Sequence, residues 1–307
     1  MDDAALLLVE AESYLIGRGV HDLEVLAREL KRRLQPAGRL TSLSAEPPAL
    51  SAAPRSPSIA SNAIAGDSAA IRKLLAAVRS LASSSLPVLI TGETGSGKEL
   101  VARALHGEGP RHADPFLSLG CAALSPELVE AELFGYTRGA FTGAEADHAG
   151  LMASARGGVL FFDEVGELSI ELQAKLLRVL DRGLVRPLGA NEEIEVNARL
   201  LFSTHRELGI LADEGKFRRD LLYRLSAFEV RVPPLRERVE DIPLLTERFQ
   251  VEAVGEGGSV VFDESAFQAL AAHSWPGNVR ELRNYLEQFL LFEAVPSIDV
   301  EAQGLRE

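Results

Sequence analysis

Short apolar runs alternate with amphipathic stretches from about residue 64 onward. Four of the runs have the length and apolar content of buried strands, and they lie at residues 88–90, 116–119, 159–162 and 200–202. Strands that alternate with helices are typical of a parallel sheet with helices on both faces. The pattern therefore predicts an α/β architecture.

The pattern changes after Pro233 and Pro234, where only helical periodicity remains. It predicts helices around residues 239–252, 263–273 and 279–293. Asn278 and Glu281 have the spacing of a capping box at the start of the last helix. We interpret this region as a small helical lid that follows the α/β domain.

The first sixty residues differ from the rest in composition and periodicity. Residues 5–16 and 22–34 have helical spacing, and residues 41–62 are rich in Ser, Ala and Pro, as flexible linkers are. A helical hairpin is the preferred interpretation of the first segment, and a helix-turn-helix is the alternative. The predicted divisions are a helical segment at 1–40, a linker at 41–62, the α/β domain at 63–235, the lid at 236–298 and a tail at 299–307.

Charge and cysteine content narrow the classes of partner and compartment. The 307 residues carry a net charge of -13, which argues against DNA as the main partner because DNA-binding surfaces are basic. Cys121 is the single cysteine, so a reducing compartment fits. No apolar run is long enough to span a bilayer, and the acidic start lacks the basic region of a signal peptide. We expect a cytoplasmic protein.

A glycine-rich loop carries the strongest chemical signal. Residues 92–98 read Gly-Glu-Thr-Gly-Ser-Gly-Lys, after a strand predicted at 86–90 and before a helix predicted from near Glu99. This is the context of a P-loop, in which backbone N–H groups and Lys98 bind phosphate oxygens. The alternative is a glycine-rich turn with a surface lysine. Glu99 stands where Ser or Thr is common, so one usual Mg²⁺ ligand is missing or replaced by water.

Two carboxylates end the run at 159–162. Asp163 is the candidate Mg²⁺ ligand beside the P-loop, and Glu164 is the candidate general base that polarises the attacking water. The alternative is an acidic pair that starts a helix after a core strand. Together with the P-loop, the pair favours nucleotide hydrolysis over nucleotide binding alone.

A second loop combines two glycines and small residues with one phenylalanine. Its sequence, Gly-Ala-Phe-Thr-Gly-Ala at residues 139–144, indicates a hairpin tip that presents an apolar contact. The alternative is an ordinary tight turn in which Phe141 folds inward.

At this point the sequence resembles the central AAA+ domain of sigma-54-dependent activators, the bacterial enhancer-binding proteins. The resemblance runs from about residue 64 to 290 and rests on several long motifs in the same order, in which a Glu after the P-loop lysine is normal. The matching motifs are residues 92–99, 132–135, 139–144, 161–168, 173–178, 217–225, 233–238 and 275–284. The resemblance implies a P-loop AAA+ parallel-sheet domain followed by a small α-helical lid domain.

The resemblance also implies a role for each matching residue. Asp163 would hold Mg²⁺, Glu164 would activate water, and Thr204 would act as the sensor near the γ-phosphate. ATP would be bound by Arg280, the second sensor, by Asp163, and by the loop residues Gly92, Glu93, Thr94, Gly95, Ser96, Gly97, Lys98 and Glu99. The sigma-54 contact would be made by Gly139, Ala140, Phe141, Thr142, Gly143 and Ala144.

Arg218 and Arg224 match the family's arginine fingers, which act on ATP in the neighbouring subunit. Residue patterns alone would favour surface or interface salt bridges for these two arginines. A finger supplied by a neighbour makes turnover depend on assembly, so a hexameric or heptameric ring is implied.

Two departures from the family pattern bear on function. Gly120 replaces an Asn that contacts the residue matching Glu164, which predicts weaker or less tightly gated turnover. A Gly120→Asn variant should then change turnover or its response to sigma-54, and an unchanged profile would contradict the hypothesis. The family's C-terminal helix-turn-helix is not recognisable before residue 307, so no DNA-binding domain of its own is expected.

The preferred function is an ATPase that remodels the closed promoter complex of sigma-54 RNA polymerase, with ATP and Mg²⁺ as cofactors and further copies of itself as ring partners. The alternative is a weakly hydrolysing regulatory module that joins or inhibits rings of full-length activators. A general AAA+ chaperone is a third possibility, which the complete motif at 139–144 disfavours.

Overall fold

The computed structural model describes residues 64–123, 125–254 and 264–292. The helices predicted at 5–16 and 22–34, the linker at 41–62 and the tail at 299–307 lie outside the described residues.

A five-stranded sheet organises the larger part of the described chain. Its strands are β1 (Val88–Thr91), β2 (Phe116–Gly120), β3 (Val159–Asp163), β6 (Arg199–Thr204) and β7 (Glu229–Arg231). They are all parallel and lie in the order β2-β3-β6-β1-β7. The strands β4 (Leu184–Val185) and β5 (Ile194–Glu195) form a separate antiparallel pair. The predicted parallel α/β architecture is confirmed.

Ten α-helices are found among the described residues. Those of the α/β part are α1 (Ala69–Ala82), α2 (Lys98–Gly107), α3 (Pro126–Phe134), α4 (Gly150–Ser154), α5 (Ile170–Arg182), α6 (Leu208–Asp213) and α7 (Arg219–Leu225). Those of the lid are α8 (Ile242–Val254), α9 (Glu264–Ala272) and α10 (Asn278–Phe292). Serine N-caps begin three of the longer ones: Ser68 for α1, Ser125 for α3 and Ser169 for α5.

Alternation along each strand builds two cores, one on each face of the sheet. In β3, Val159 and Phe161 pack with α1 and α2, whereas Leu160 and Phe162 pack with the core that holds α3 and α5. Both phenylalanines are essentially inaccessible. Burying each contributes roughly 1.5–3 kcal/mol, which fixes the register of β3 and so the position of the carboxylates at its end.

The lid has its own smaller core around Trp275, which is 1% exposed. Its indole Nε1 donates to Leu270 O at 2.7 Å, so the polar atom of this buried side chain is satisfied. Short 3₁₀ turns at Leu235–Glu237 and Val239–Asp241 connect β7 to the lid. No described helix combines the length and the apolar character that crossing a bilayer requires.

Several local predictions were wrong. The strand run predicted at residues 88–90 lies within β1, but its extension back to residue 86 is wrong because β1 begins at Val88. The short strand β7 was missed because only Val230 in it is apolar and buried. The capping box is also wrong. Asn278 bonds the backbone N–H of Leu235 rather than that of its own helix, and Glu281 bonds the N–H of Gly277.

Candidate nucleotide-binding and hydrolysis site

The glycine-rich loop lies between the end of β1 and the start of α2, at the carboxyl edge of the sheet. Gly92, Gly95 and Gly97 have φ values of 156°, 75° and 106°, which side chains with a Cβ rarely adopt. Gly97 caps α2 without a side-chain hydrogen bond. The first N–H groups of a ten-residue helix therefore face the loop, an arrangement that favours a bound anion.

Lys98 is 7% exposed and turns back over this loop. Its Nζ donates to Gly92 O at 3.0 Å and to Glu93 O at 3.3 Å, and it lies 3.1 Å from Oε1 of Glu164. The ammonium group is therefore fully partnered by acceptors that a polyphosphate would replace. Lys98, the candidate phosphate-binding cation, and Glu164, the candidate general base, therefore face the same space above the loop.

Asp163 ends β3 and is anchored by Ser203 on the neighbouring strand. Ser203 Oγ donates to Oδ1 of Asp163 at 2.5 Å and accepts from the N–H of Glu164 at 3.0 Å. The described residues contain no cluster of three His, Cys, Asp or Glu side chains suited to a metal. One carboxylate with phosphate oxygens and water completing the shell is a normal Mg²⁺ environment, so Asp163 fits that role.

Glu164 adopts a left-handed conformation, φ 63° and ψ 58°, at the turn after β3. Its Oε2 accepts from the backbone N–H of His205 at 2.9 Å and lies 2.6 Å from Nδ1 of the same histidine. Burial raises the pKa of Glu164, but the hydrogen bond from the His205 N–H and the charge of Lys98 outweigh it, so the pKa is lowered overall. The carboxylate is therefore ionised at neutral pH.

Thr204 lies at the end of β6, as predicted, but its hydroxyl is used locally. Oγ1 accepts from the N–H of Arg206 at 3.0 Å and contacts Arg206 O at 3.3 Å, and the residue is 1% exposed. The next residue, His205, is the one whose ring meets Glu164. Sequence reasoning missed His205, since a histidine after a core strand carries no distinctive signal.

The lid contacts the glycine-rich loop at residues 92–98, from here on called the phosphate loop. The central contacts, here called the lid junction, involve Glu93, Gly95, Arg236, Gly277 and Asn278. Arg236 bonds both carboxylate oxygens of Glu93, at 2.7 and 2.5 Å, and Asn278 Nδ2 donates to Glu93 Oε2 and to Thr94 O, each at 3.1 Å. A Cβ at Gly95 would lie 2.2 Å from Gly277 O. The loop and the start of α10 are therefore in direct contact.

Arg280 lies beside this junction, and its backbone N–H donates to Gly95 O at 3.3 Å. Its side chain is exposed. Next to the junction is a cleft of about 180 Å³, whose lining is mainly apolar and includes Ile64, Ala65, Leu74, Leu245, Phe249 and Val279. A flat apolar group continuous with the phosphates would fit this position between sheet and lid.

Three predicted site residues bond groups outside the phosphate loop. Glu99 is turned to Arg103, 2.7 Å away on the same helix. Arg218 pairs with Asp220 at 2.8 Å, and Arg224 donates to Leu180 O at 3.1 Å. Neither Arg218 nor Arg224 contacts the phosphate loop of its own chain among these bonds, so they are not brought into the site described above.

The loop at 139–144 forms a compact turn closed by a bond from Gly139 N to Ala144 O at 2.9 Å. Phe141 is 46% exposed, and its ring meets the ring of Tyr136 edge-on at 4.9 Å. Ala144 is buried, whereas Gly139, Thr142 and Gly143 are exposed. The turn presents a half-exposed aromatic ring, which is intermediate between the two arrangements considered from sequence.

Two family models match the chain. The Sigma-54 interaction domain matches residues 64–231, and the AAA+ ATPase lid domain matches residues 236–303. The chain is 47% identical over 229 residues to the response regulator protein PilR of Pseudomonas aeruginosa, which covers 74% of this chain and 52% of that protein. It is 45% identical over 228 residues to the transcriptional regulatory protein GlrR of Escherichia coli K12, with 74% and 51% covered. The chain spans about half the length of these curated relatives.

Solved structures are also similar to this chain. NtrX from Brucella abortus in complex with ATP matches with a TM-score of 0.70 and 36% identity, covering 77% of this chain and 52% of that chain. A closed-state Hsp104 structure matches with a TM-score of 0.55 and 23% identity over 76% of this chain and 45% of that one, which supports the fold alone.

Proposed function

Because the chain belongs to the sigma-54 interaction domain family of AAA+ proteins, we propose that it hydrolyses ATP to drive remodelling of sigma-54 RNA polymerase. The names of its relatives support a regulatory role, since GlrR is a transcriptional regulatory protein and PilR is a response regulator protein. The observation that carries the proposal is the contact between Lys98 Nζ and Glu164 Oε1 at 3.1 Å over the phosphate loop. A phosphate-binding cation and a general base thus share one space.

Binding begins with an exchange of partners at Lys98. Its ammonium group leaves Gly92 O, Glu93 O and Glu164 for the β- and γ-phosphates, while the α2 N-terminus and loop N–H groups bind the remaining oxygens. The adenine ring occupies the apolar cleft beside Phe249. The lid junction, together with Arg280, closes over the nucleotide. Asp163 would hold Mg²⁺, and the ion would supply positive charge next to the phosphate oxygens.

Hydrolysis follows from the position of Glu164. Once Lys98 has left, Oε1 accepts a proton from water as the water oxygen bonds to the γ-phosphorus and the bond to the β–γ bridging oxygen breaks. The products are ADP and inorganic phosphate. Arg218 and Arg224 exchange their present partners for the γ-phosphate of a neighbouring copy in a ring, where guanidinium charge stabilises the transferred group.

The sigma-54 contact is assigned to residues 139–144, because the half-exposed Phe141 is held on a turn with free surface around it. Nucleotide-dependent movement of this turn would transmit the energy of hydrolysis to the polymerase. Co-purification of sigma-54 with the chain in the presence of a transition-state analogue tests the partner. Capture of other clients and not of sigma-54 would contradict it.

The first experiment measures ATP hydrolysis per subunit over a range of protein concentrations, with Glu164→Gln as the control. We expect a rate that rises with concentration and falls by about 10²–10⁴ in the control, because general-base catalysis contributes that much. Background rates throughout, with ATP still bound, would contradict the ATPase and support a regulatory module. Gly120 favours that second candidate, since it offers Glu164 no side chain.

A further inference from the structure

Glu164 is held by two residues that act on different oxygens. Oε1 faces Lys98 Nζ at 3.1 Å, whereas Oε2 faces only His205, through the backbone N–H at 2.9 Å and ring Nδ1 at 2.6 Å. The Glu164 side chain is 18% exposed, so water supplies little competition for these bonds. The two oxygens therefore have separate surroundings.

The bonds to His205 determine where the other oxygen points. A carboxylate oxygen accepts about two hydrogen bonds, and the N–H and Nδ1–H of one residue supply both for Oε2. Because Oε2 is an ionised acceptor, the His205 tautomer assigned here carries its proton on Nδ1. With Oε2 fixed from two directions, Oε1 stays directed at the space that Lys98 now occupies.

Other polar side chains near Glu164 already have partners. Ser203 Oγ bonds Asp163 and the backbone of Glu164, and Thr204 Oγ1 bonds the backbone of Arg206. Gly120 has no side chain, and a Cβ built there would meet only Ala123 at 3.6 Å. Among the described residues, His205 and Lys98 are thus the two side chains bonded to this carboxylate, and Lys98 must leave when phosphates bind.

We propose that His205 is a positioning residue for the hydrolysis of ATP, holding Oε2 of Glu164 so that Oε1 faces the γ-phosphate and its attacking water. This inference rests on the proposed ATPase function. His205 also borders a cleft of about 300 Å³ with Gly92, Glu93 and Thr204, which puts its ring beside the phosphate loop rather than in a separate part of the surface. Its role passes through its bonds to Glu164.

Two substitutions distinguish a positioning role of His205 from a general structural role. His205→Ala removes the ring but keeps the backbone N–H. His205→Asn removes most of the ring but can place its side-chain N–H₂ near the position of Nδ1, so it retains the donor. The 307-residue chain carrying each change is compared with wild type and Glu164→Gln in steady-state ATP hydrolysis. Binding of a non-hydrolysable ATP analogue is measured separately.

We expect His205→Ala to lower kcat by about 10- to 100-fold, with KM and the Kd for the analogue within about threefold of wild type, as befits loss of one orienting contact. His205→Asn should restore kcat to within about threefold of wild type. The proposal is overturned if His205→Ala retains wild-type kcat, if His205→Asn is as slow as His205→Ala, or if analogue binding weakens in parallel.

The same experiment separates failure of this inference from failure of the proposed function. Hydrolysis by wild type that is lost in Glu164→Gln but unchanged in His205→Ala overturns only the role of His205. An absence of hydrolysis by wild type at all concentrations overturns both.

Discussion

The phosphate loop and the loop at 139–144 both depend on glycines with positive φ, but their surroundings differ. In the phosphate loop, a Cβ at Gly92 would lie 2.9 Å from Val232 O and one at Gly95 would lie 2.2 Å from Gly277 O. In the other loop, a Cβ at Gly139 or Gly143 would meet no atom within 4 Å. The two loops therefore require glycine for different physical reasons.

The difference agrees with the separate roles proposed for the two loops. The phosphate loop needs glycine both for its backbone angles and for the close approach of lid and strand, so it is fixed from several sides. The loop at 139–144 needs only the angles and leaves its outer surface open, which suits a segment that meets another molecule. Substitutions at the two loops should therefore separate effects on nucleotide binding and stability from effects on the partner.

The largest effect is expected for Gly95→Ala. Its added Cβ would overlap Gly277 O, so the lid junction must shift, at a cost of about 1–3 kcal/mol beyond roughly 1–2 kcal/mol of left-handed strain. We expect ATP-analogue binding to weaken by about 100-fold, which isothermal titration would measure. The matched control is Gly215→Ala, because Gly215 has φ 72° and no atom within 4 Å of an added Cβ.

Gly215→Ala should lower stability by the strain alone and leave the analogue Kd within about threefold. Equal losses of binding in the two variants would show that backbone strain, and not contact between loop and lid, controls the site.

The second effect is expected for Asn278→Ala. Asn278 is fully buried, and it accepts from Leu235 N–H while it donates to Glu93 and to Thr94 O. Removing its side chain leaves buried polar groups without partners, so we expect a loss of about 2–4 kcal/mol in urea unfolding. Asn278 has a φ of 54°, a backbone conformation in which alanine is strained and glycine is not. Asn278→Gly is therefore the control: it loses the same side-chain bonds without the strain and should be about 1 kcal/mol more stable than Asn278→Ala. A loss below about 0.5 kcal/mol in Asn278→Ala would contradict the importance of the lid junction.

Much of this comparison could be predicted from sequence because local patterns determine it. The strand β3 is a continuous apolar run that ends at Asp163 and is followed directly by Glu164. Parallel strands bring such ends to one edge of the sheet. The glycine spacing before Lys98 predicts the phosphate loop by the same local logic. The parallel sheet and helical lid accordingly agree with the sequence analysis.

Long-range pairing could not be predicted in this way. The partners Glu93 and Asn278 are separated by 185 positions, and Glu164 and His205 by 41. No local periodicity marks such pairs, and Asn278 has the ordinary sequence pattern of a helix cap. Its side chain serves the β7–lid connection instead, because the buried N–H of Leu235 needs an acceptor.

A smaller effect is expected for Glu93→Gln, and it should depend on pH. The Arg236 guanidinium, with Asn278, lowers the pKa of Glu93 from 4.5 to about 2. A depressed pKa means that the carboxylate stabilises the fold above about pH 4.5 and loses that contribution as the pH falls towards 2. Since both partners are more than a third exposed, we expect only about 0.5–1 kcal/mol at pH 7.

Thermal unfolding of wild type and Glu93→Gln between pH 7 and 3 measures this contribution. The difference in Tm should narrow below pH 4.5 and should also decrease in high salt. Arg236→Gln is the matched variant, and combining both changes should add little to either. A Tm difference that grows as the pH falls would contradict the assigned pairing.

The smallest effect on the fold and on ATP binding is expected for Phe141→Ala. The ring is half-exposed and has one aromatic partner, Tyr136, so its loss should cost about 0.5–1 kcal/mol and leave the analogue Kd unchanged. Sigma-54 capture should nevertheless be lost, whereas Phe141→Tyr should retain part of it. Unchanged capture of sigma-54 by Phe141→Ala would mean that the loop at 139–144 does not make the contact. A loss of ATP binding comparable to that of Gly95→Ala would mean that this loop is part of the nucleotide site. Either outcome would remove the distinction between the two loops.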